Sequence, residues 1–131
     1  MSRATILAAL ALCAAWPGVC GAEAQAERPP AEALPVPRGA TREQVALGDR
    51  IFHGEAAGGT CSTCHGWDAK GTPTGNDLTS GLFIWGDGSM RMIKATIANA
   101  VLIAPGRDGD LSPADVDAVT AYVWALSHQK P

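Results

Sequence analysis

The chain has 131 residues and a formal net charge of −3, with 47% hydrophobic and 18% charged residues. This length suits one small domain. The mild negative charge and the lack of any basic run in the sequence argue against a surface that binds nucleic acid. Aromatic residues make up only 5%, so a large flat cofactor would supply apolar surface that the side chains themselves lack.

Residues 1–26 have the features of a secretory signal peptide. A short positive start is followed by an apolar run that ends near Trp16, and small residues at Ala22, Ala24 and Ala26 fit a cleavage site. The apolar run is shorter than the ~20 residues of a membrane span, which makes an uncleaved anchor the weaker alternative. We therefore predict export to the periplasm, cleavage, and a mature protein without a stable membrane span.

Cleavage would remove Cys13 and Cys20 and leave Cys61 and Cys64, which are followed at once by His65. Two cysteines at this spacing before a histidine are the attachment pattern of c-type haem. Each thiol can add to one porphyrin vinyl group, and the imidazole can serve as an axial ligand of the iron. A thioredoxin-like redox pair and half of a zinc site are the alternatives, but the sequence lacks the elements that usually accompany either. One covalent haem c is the prediction.

Three helices are predicted, each after a side chain suited to capping its first turn. They cover residues 42–53 after Thr41, residues 90–101 after Ser89 and residues 113–127 after Ser112.

Two other stretches have no helical pattern. The proline-rich residues 27–40 are predicted to be a flexible lead-in to a compact domain at residues 41–131. The glycine-rich residues 70–88 are predicted to form an irregular loop around one face of the cofactor. Gly48 is costly inside the first helix unless another helix crosses closely there.

This order of elements resembles the class I c-type cytochromes over residues 41–128. The matching residues are Gly48, Phe52, Cys61, Cys64, His65, Gly66, Asp77, Leu78, Trp85, Gly86, Asp87, Gly88, Ser89, Leu111, Ser112 and Tyr122. The resemblance implies an all-α fold of three to four helices around one covalent haem. It also implies that the first and last helices cross at Gly48 and Tyr122. Asn76 stands where the family has a proline whose carbonyl binds the proximal histidine.

The second axial ligand departs from the family pattern. The family places a methionine just before the last helix, and residues 102–111 contain none. Met90 and Met92 are the candidate axial ligands, although Met90 also fits a packing role in the apolar stripe of its helix. His53 and His128 are further candidates, for which a surface or capping role is the alternative.

Two tryptophans near the motif are candidates for contact with the haem. Trp85 could pack on the porphyrin or donate its indole N–H to a propionate, and the alternative is a buried anchor for the loop. Trp67 could cover a haem edge or fill the local core.

Electron transfer in the periplasm is the predicted function. The chain would act as a soluble carrier or as a cytochrome subunit of a respiratory or dehydrogenase complex. Its partners would be redox proteins, either a dehydrogenase or an oxidase, and the chain would not itself be an enzyme. The main alternative is a five-coordinate haem protein that binds a small ligand or has weak peroxidase activity. A haem-bearing structural module whose redox role has decayed is the third hypothesis.

Overall fold

The computed structural model describes residues 27–103 and 111–130, with only the backbone of residues 102 and 103. The predicted signal peptide at residues 1–26 lies outside this part of the chain. The regular elements of these ranges are a 3₁₀ turn at Ala31–Ala33 and the helices α1 (Arg42–Phe52), α2 (Cys61–His65), α3 (Met90–Ile103) and α4 (Pro113–Ser127). The predicted all-α fold is confirmed.

The predicted capping residues begin the three longer helices. Before α1, the hydroxyl of Thr41 accepts the Gln44 N–H at 3.2 Å, and the Gln44 side chain accepts the Thr41 N–H at 2.9 Å. Ser112 forms the same reciprocal pair with Asp115 before α4, and Ser89 accepts the Met92 N–H in the first turn of α3. These bonds satisfy backbone donors that the first helical turn leaves unpaired. α1 ends one residue before the predicted end, and α3 continues past it.

The first and last helices cross at Gly48. A Cβ atom at this position would lie 2.1 Å from the carbonyl oxygen of Ala118 and 2.7 Å from the Cβ of Tyr122. The rings of Phe52 and Tyr122 pack edge to face beside the crossing, 5.4 Å apart, and both side chains are fully buried. The crossing at Gly48 and Tyr122 is therefore confirmed. α3 then packs on α4 through the buried Ile93.

Residues 27–40 pack on the helices, in contrast to the predicted flexible lead-in. Ala31, Leu34 and Pro37 are buried. Arg42 in α1 donates to the carbonyl oxygens of Ala31 at 3.1 Å and Leu34 at 2.6 Å. Prolines restrict the unfolded chain, so docking this segment costs less conformational entropy than its irregular sequence implies. The packed body therefore begins before the predicted boundary at residue 41.

We expect Gly48→Ala to lower the free energy of unfolding by about 2–3 kcal/mol, because the added methyl group overlaps the backbone of α4. Chemical denaturation followed by circular dichroism measures the change. At an uncrowded helical position the same substitution stabilises by up to about 1 kcal/mol. A stabilised variant would therefore contradict the close crossing.

Candidate haem site

An apolar cavity of about 340 Å³ lies among α2, α3, α4 and the loop that precedes α3. All three residues of the predicted haem motif, Cys61, Cys64 and His65, line it. Most of the remaining wall is apolar, from Phe52, Leu78, Phe83, Ile84, Trp85, Ile93, Ile97, Ala100, Val101, Leu111, Val119 and Val123. A flat apolar cofactor fits such a cavity, since its faces would be buried against hydrocarbon side chains.

Two close backbone approaches hold α2 in place. A Cβ atom on the buried Gly59 would lie 2.1 Å from the carbonyl oxygen of Ile51, so the segment before α2 passes directly over α1. A Cβ atom on Gly75 would lie 2.4 Å from the carbonyl oxygen of Cys64. α1 and the loop at residues 71–76 therefore fix the position of the haem motif from two sides.

The loop at residues 71–76 also binds the carbonyl groups at the end of α2. The Gly71 N–H donates to the His65 carbonyl at 2.7 Å, and the Thr72 hydroxyl donates to the Cys64 carbonyl. Helix-terminal carbonyls have no partner inside their own helix, so these bonds complete α2. This role of Thr72 was not predicted from the sequence. The tight Thr-Pro-Thr-Gly turn is the sequence signal that could have revealed it.

The imidazole of His65 is oriented by the backbone of Asn76. Nδ1 lies 2.9 Å from the Asn76 carbonyl oxygen. A carbonyl only accepts, so Nδ1 donates, and the lone pair of the ring is on Nε2. The resemblance to the family predicts that the Asn76 carbonyl binds the proximal histidine, and the hydrogen bond is confirmed. Such a bond fixes the tautomer and raises the basicity of a ligating imidazole.

We expect Gly75→Ala to push the loop away from Cys64 and to lower the free energy of unfolding by about 1–3 kcal/mol, because the new methyl group overlaps the backbone of α2. Denaturant titration measures this loss. Pro73→Ala, at the exposed tip of the same turn, serves as the matched control. Equal stability of the two variants would show that the loop is not packed against α2 in this way.

His53 is buried between α1 and Trp67. Its Nδ1 lies 2.8 Å from the Asp49 carbonyl oxygen and 3.1 Å from the Asp49 carboxylate, and its Nε2 lies 2.8 Å from the Trp67 carbonyl oxygen. Acceptors face both nitrogens, so this geometry requires the doubly protonated ring. Arg28 donates from Nε to the same carboxylate at 2.9 Å. The expected capping role of His53 is present, but the side chain is not on the surface.

These contacts shift the pKa values of both partners. Burial alone lowers the pKa of His53, but hydrogen bonds to the Asp49 carboxylate and to two backbone carbonyls outweigh it, and the net pKa is raised. Burial raises the pKa of Asp49, but its hydrogen bonds to His53 and Arg28 lower the pKa by a larger amount, and the net pKa is lowered. The ion pair is therefore favoured at neutral pH.

We expect the stabilisation from His53 to be complete below the ordinary histidine pKa of about 6.5 and to disappear as pH rises through the raised folded-state pKa. The measurement is the free energy of unfolding from mildly acidic to alkaline pH. His53→Gln should lose this pH dependence, and His128→Gln, at an exposed position, should keep it. An unchanged profile in His53→Gln would disprove the assignment.

The other candidate residues are two tryptophans and two methionines, and only Trp85 among them lines the cavity in the described chain. Trp85 lines the cavity but is 73% exposed, so it is a rim residue and not a buried anchor. Trp67 is 46% exposed and packs edge to face on His53 at 4.5 Å. Neither Met90 nor Met92 is part of the cavity wall in the described chain, and the structure therefore does not bring them together with His65.

Two further features of the described residues bear on the alternatives. They contain no group of three or more His, Cys, Asp and Glu side chains that could hold a bare metal ion. Half of a zinc site at Cys61 and Cys64 thus has no further ligands in residues 27–103 and 111–130. In the same ranges, the helices are too short or too polar to cross a membrane.

Comparison with known proteins gives a family. The model of the cytochrome c family matches residues 45–127. The FixP subunit of a cbb3-type cytochrome c oxidase from Bradyrhizobium sp. (strain ORS 278) is 33% identical over 81 residues, which is 53% of this chain and 28% of that protein. The FixPc subunit from Rhizobium leguminosarum bv. viciae is 34% identical over 82 residues, or 52% and 27%.

The match spans little more than a quarter of these curated relatives. No solved structure matches the chain at a comparable level. The family match, however, covers more than half of the chain and includes the whole haem motif. The chain belongs to the cytochrome c family and carries covalently bound haem c, the electron-transferring group of that family.

Proposed function

We propose that this chain transfers electrons in the periplasm through one haem, held by thioether bonds from Cys61 and Cys64 and by an axial bond from His65. The observation that carries the proposal is the convergence of these three side chains on one apolar cavity, with His65 oriented by Asn76. When bound, the haem supplies a one-electron redox centre.

The residues around the cavity suit this task in two ways. The apolar wall excludes water from the cofactor, and fewer surrounding dipoles then have to reorganise when the charge changes. The hydrogen bond from His65 to the Asn76 carbonyl keeps the imidazole in one orientation in both oxidation states. The chain therefore contributes rigidity and desolvation, and no residue of the cavity needs to act as an acid, a base or a nucleophile.

The rim of the cavity is a suitable place for electron entry and exit. Ile84 and Trp85 line the cavity and are 67% and 73% exposed. We place Trp85 against the edge of the haem as a packing residue. A redox partner that covers these two side chains would come within a short distance of the cofactor and would bury apolar surface in doing so.

The partner we propose is a respiratory oxidase or a dehydrogenase, with the chain acting as its subunit or as a soluble carrier. The two curated relatives are named as subunits of cbb3-type cytochrome c oxidases, which supports the oxidase. The net charge of −3 favours a partner with a basic surface. The chain itself would pass electrons and would leave the oxidase or dehydrogenase chemistry to its partner.

Two arguments support the proposed periplasmic location. The sequence of residues 1–26 fits a signal peptide, and covalent haem attachment in bacteria takes place on the far side of the cytoplasmic membrane. Both arguments favour transport of the haem-binding residues out of the cytoplasm.

We expect residues 1–131, expressed in a bacterium with haem-attachment enzymes, to give a periplasmic protein whose haem survives denaturing electrophoresis and is reversibly oxidised and reduced. Cys61→Ser combined with Cys64→Ser should remove the covalent haem, since both thioether bonds are lost. Thr63→Ala, at the exposed position between the cysteines, is the matched control. Haem that survives in the double variant would refute the attachment, and a cytoplasmic product would refute the location.

A further inference from the structure

Among the described residues, the cavity wall contains one side chain suited to bind the haem iron, that of His65. His65 is the sole imidazole of the wall in the described chain, and no methionine contributes to it there. The undescribed residues 104–110 read Ala-Pro-Gly-Arg-Asp-Gly-Asp, which includes neither sulfur nor imidazole. A second ligand would therefore have to come from a side chain that the fold places elsewhere.

Neither methionine of the described residues lines the cavity, and both pack on other parts of the fold. Met90 lies against the buried cluster that contains Leu34, Tyr122 and Leu126. The side chain of Met92 lies across Gly86, where an added Cβ atom would be 2.9 Å from its Cβ and 3.1 Å from its Cε. Each thioether thus has a packing role that it would have to leave in order to reach the iron.

Two histidines and one lysine outside the wall are also engaged in other contacts. His53 is buried with both ring nitrogens facing oxygen atoms. His128 stacks on the ring of Trp124 at 3.9 Å beyond the end of α4, and its Nδ1 lies 2.8 Å from the Trp124 carbonyl oxygen. Lys94 of α3 forms an ion pair with Asp117. None of the three lines the cavity.

We propose that no side chain of residues 27–103 and 111–130 occupies the second axial position of the haem iron, and that the cavity binds a small neutral diatomic ligand there, such as carbon monoxide or nitric oxide. The inference rests on the proposed haem attachment through Cys61, Cys64 and His65. It deepens the proposed function, because occupation of the iron by such a ligand would control whether electrons pass.

The chemistry of the wall selects the class of ligand. No charged side chain lines the cavity in the described residues. Thr96 is one of the few polar side chains in the wall, and its hydroxyl donates to the Met92 carbonyl at 2.9 Å. An anion such as azide would lose its hydration and gain no charge partner from the described wall, so the ferric iron alone would have to offset that loss. Bound dioxygen, which gains from a hydrogen-bond donor, finds less support there than carbon monoxide does.

The first test is the optical spectrum of the haem-loaded protein, reduced and then exposed to carbon monoxide. We expect a shift of the Soret band in the wild type, and the same shift in Met90→Leu and Met92→Leu. An unshifted wild-type spectrum, or a shift that appears only in one of the two variants, would overturn the proposal and identify a protein ligand. Reversible redox cycling without a carbon monoxide response contradicts this inference alone, whereas loss of covalent haem contradicts the proposed function as well.

The second test changes the wall. Ile97 is a half-buried lining residue of α3, and Ile97→Gln adds an N–H donor, whereas Ile97→Leu preserves the hydrocarbon. Azide titration of the oxidised proteins should show binding about tenfold tighter in Ile97→Gln, because a hydrogen bond to a charged group is worth at least this factor. Equal azide affinity in the two variants would overturn the selection of neutral ligands by the wall.

Discussion

The close crossing of α1 and α4 is the constraint on which the rest of the structure depends. Gly48 lets the two backbones approach until only a hydrogen atom fits between them. The side chains beside the crossing, Phe52 and Val119, then reach the cavity as part of its wall. A larger residue at position 48 would separate the helices and would also change the shape of the cavity. The packing of the core and the shape of the cofactor cavity therefore depend on the same helix crossing.

The sequence predicts what depends on local chemistry. Capping side chains at Thr41, Ser89 and Ser112 mark the helix starts because they satisfy backbone donors a few residues away. The haem motif is equally local, since its two cysteines and its histidine lie within five residues. The helices, the all-α class and the family could all be predicted at this level.

Long-range packing explains what the sequence did not predict. The composition of residues 27–40 indicates an irregular segment, but not that Leu34 fits a groove on the helices or that Arg42 binds its carbonyl groups. Burial of His53 depends in the same way on Asp49 and Trp67, the latter 14 residues away in the sequence. The second axial position could be recognised as a departure from the family, but only the packing of Met90 and Met92 shows where those side chains lie.

The placement of α3 has a consequence for how the protein matures. In the described chain, α3 packs on α4 and makes no comparable contact with α1 or α2, and its other apolar side faces the cavity. Without the cofactor, the side of α3 that faces the cavity lacks packing partners, and we therefore expect a small local free energy of opening for this helix. We expect α3 to be the wall that opens most readily when a porphyrin enters and Cys61 and Cys64 form their thioether bonds.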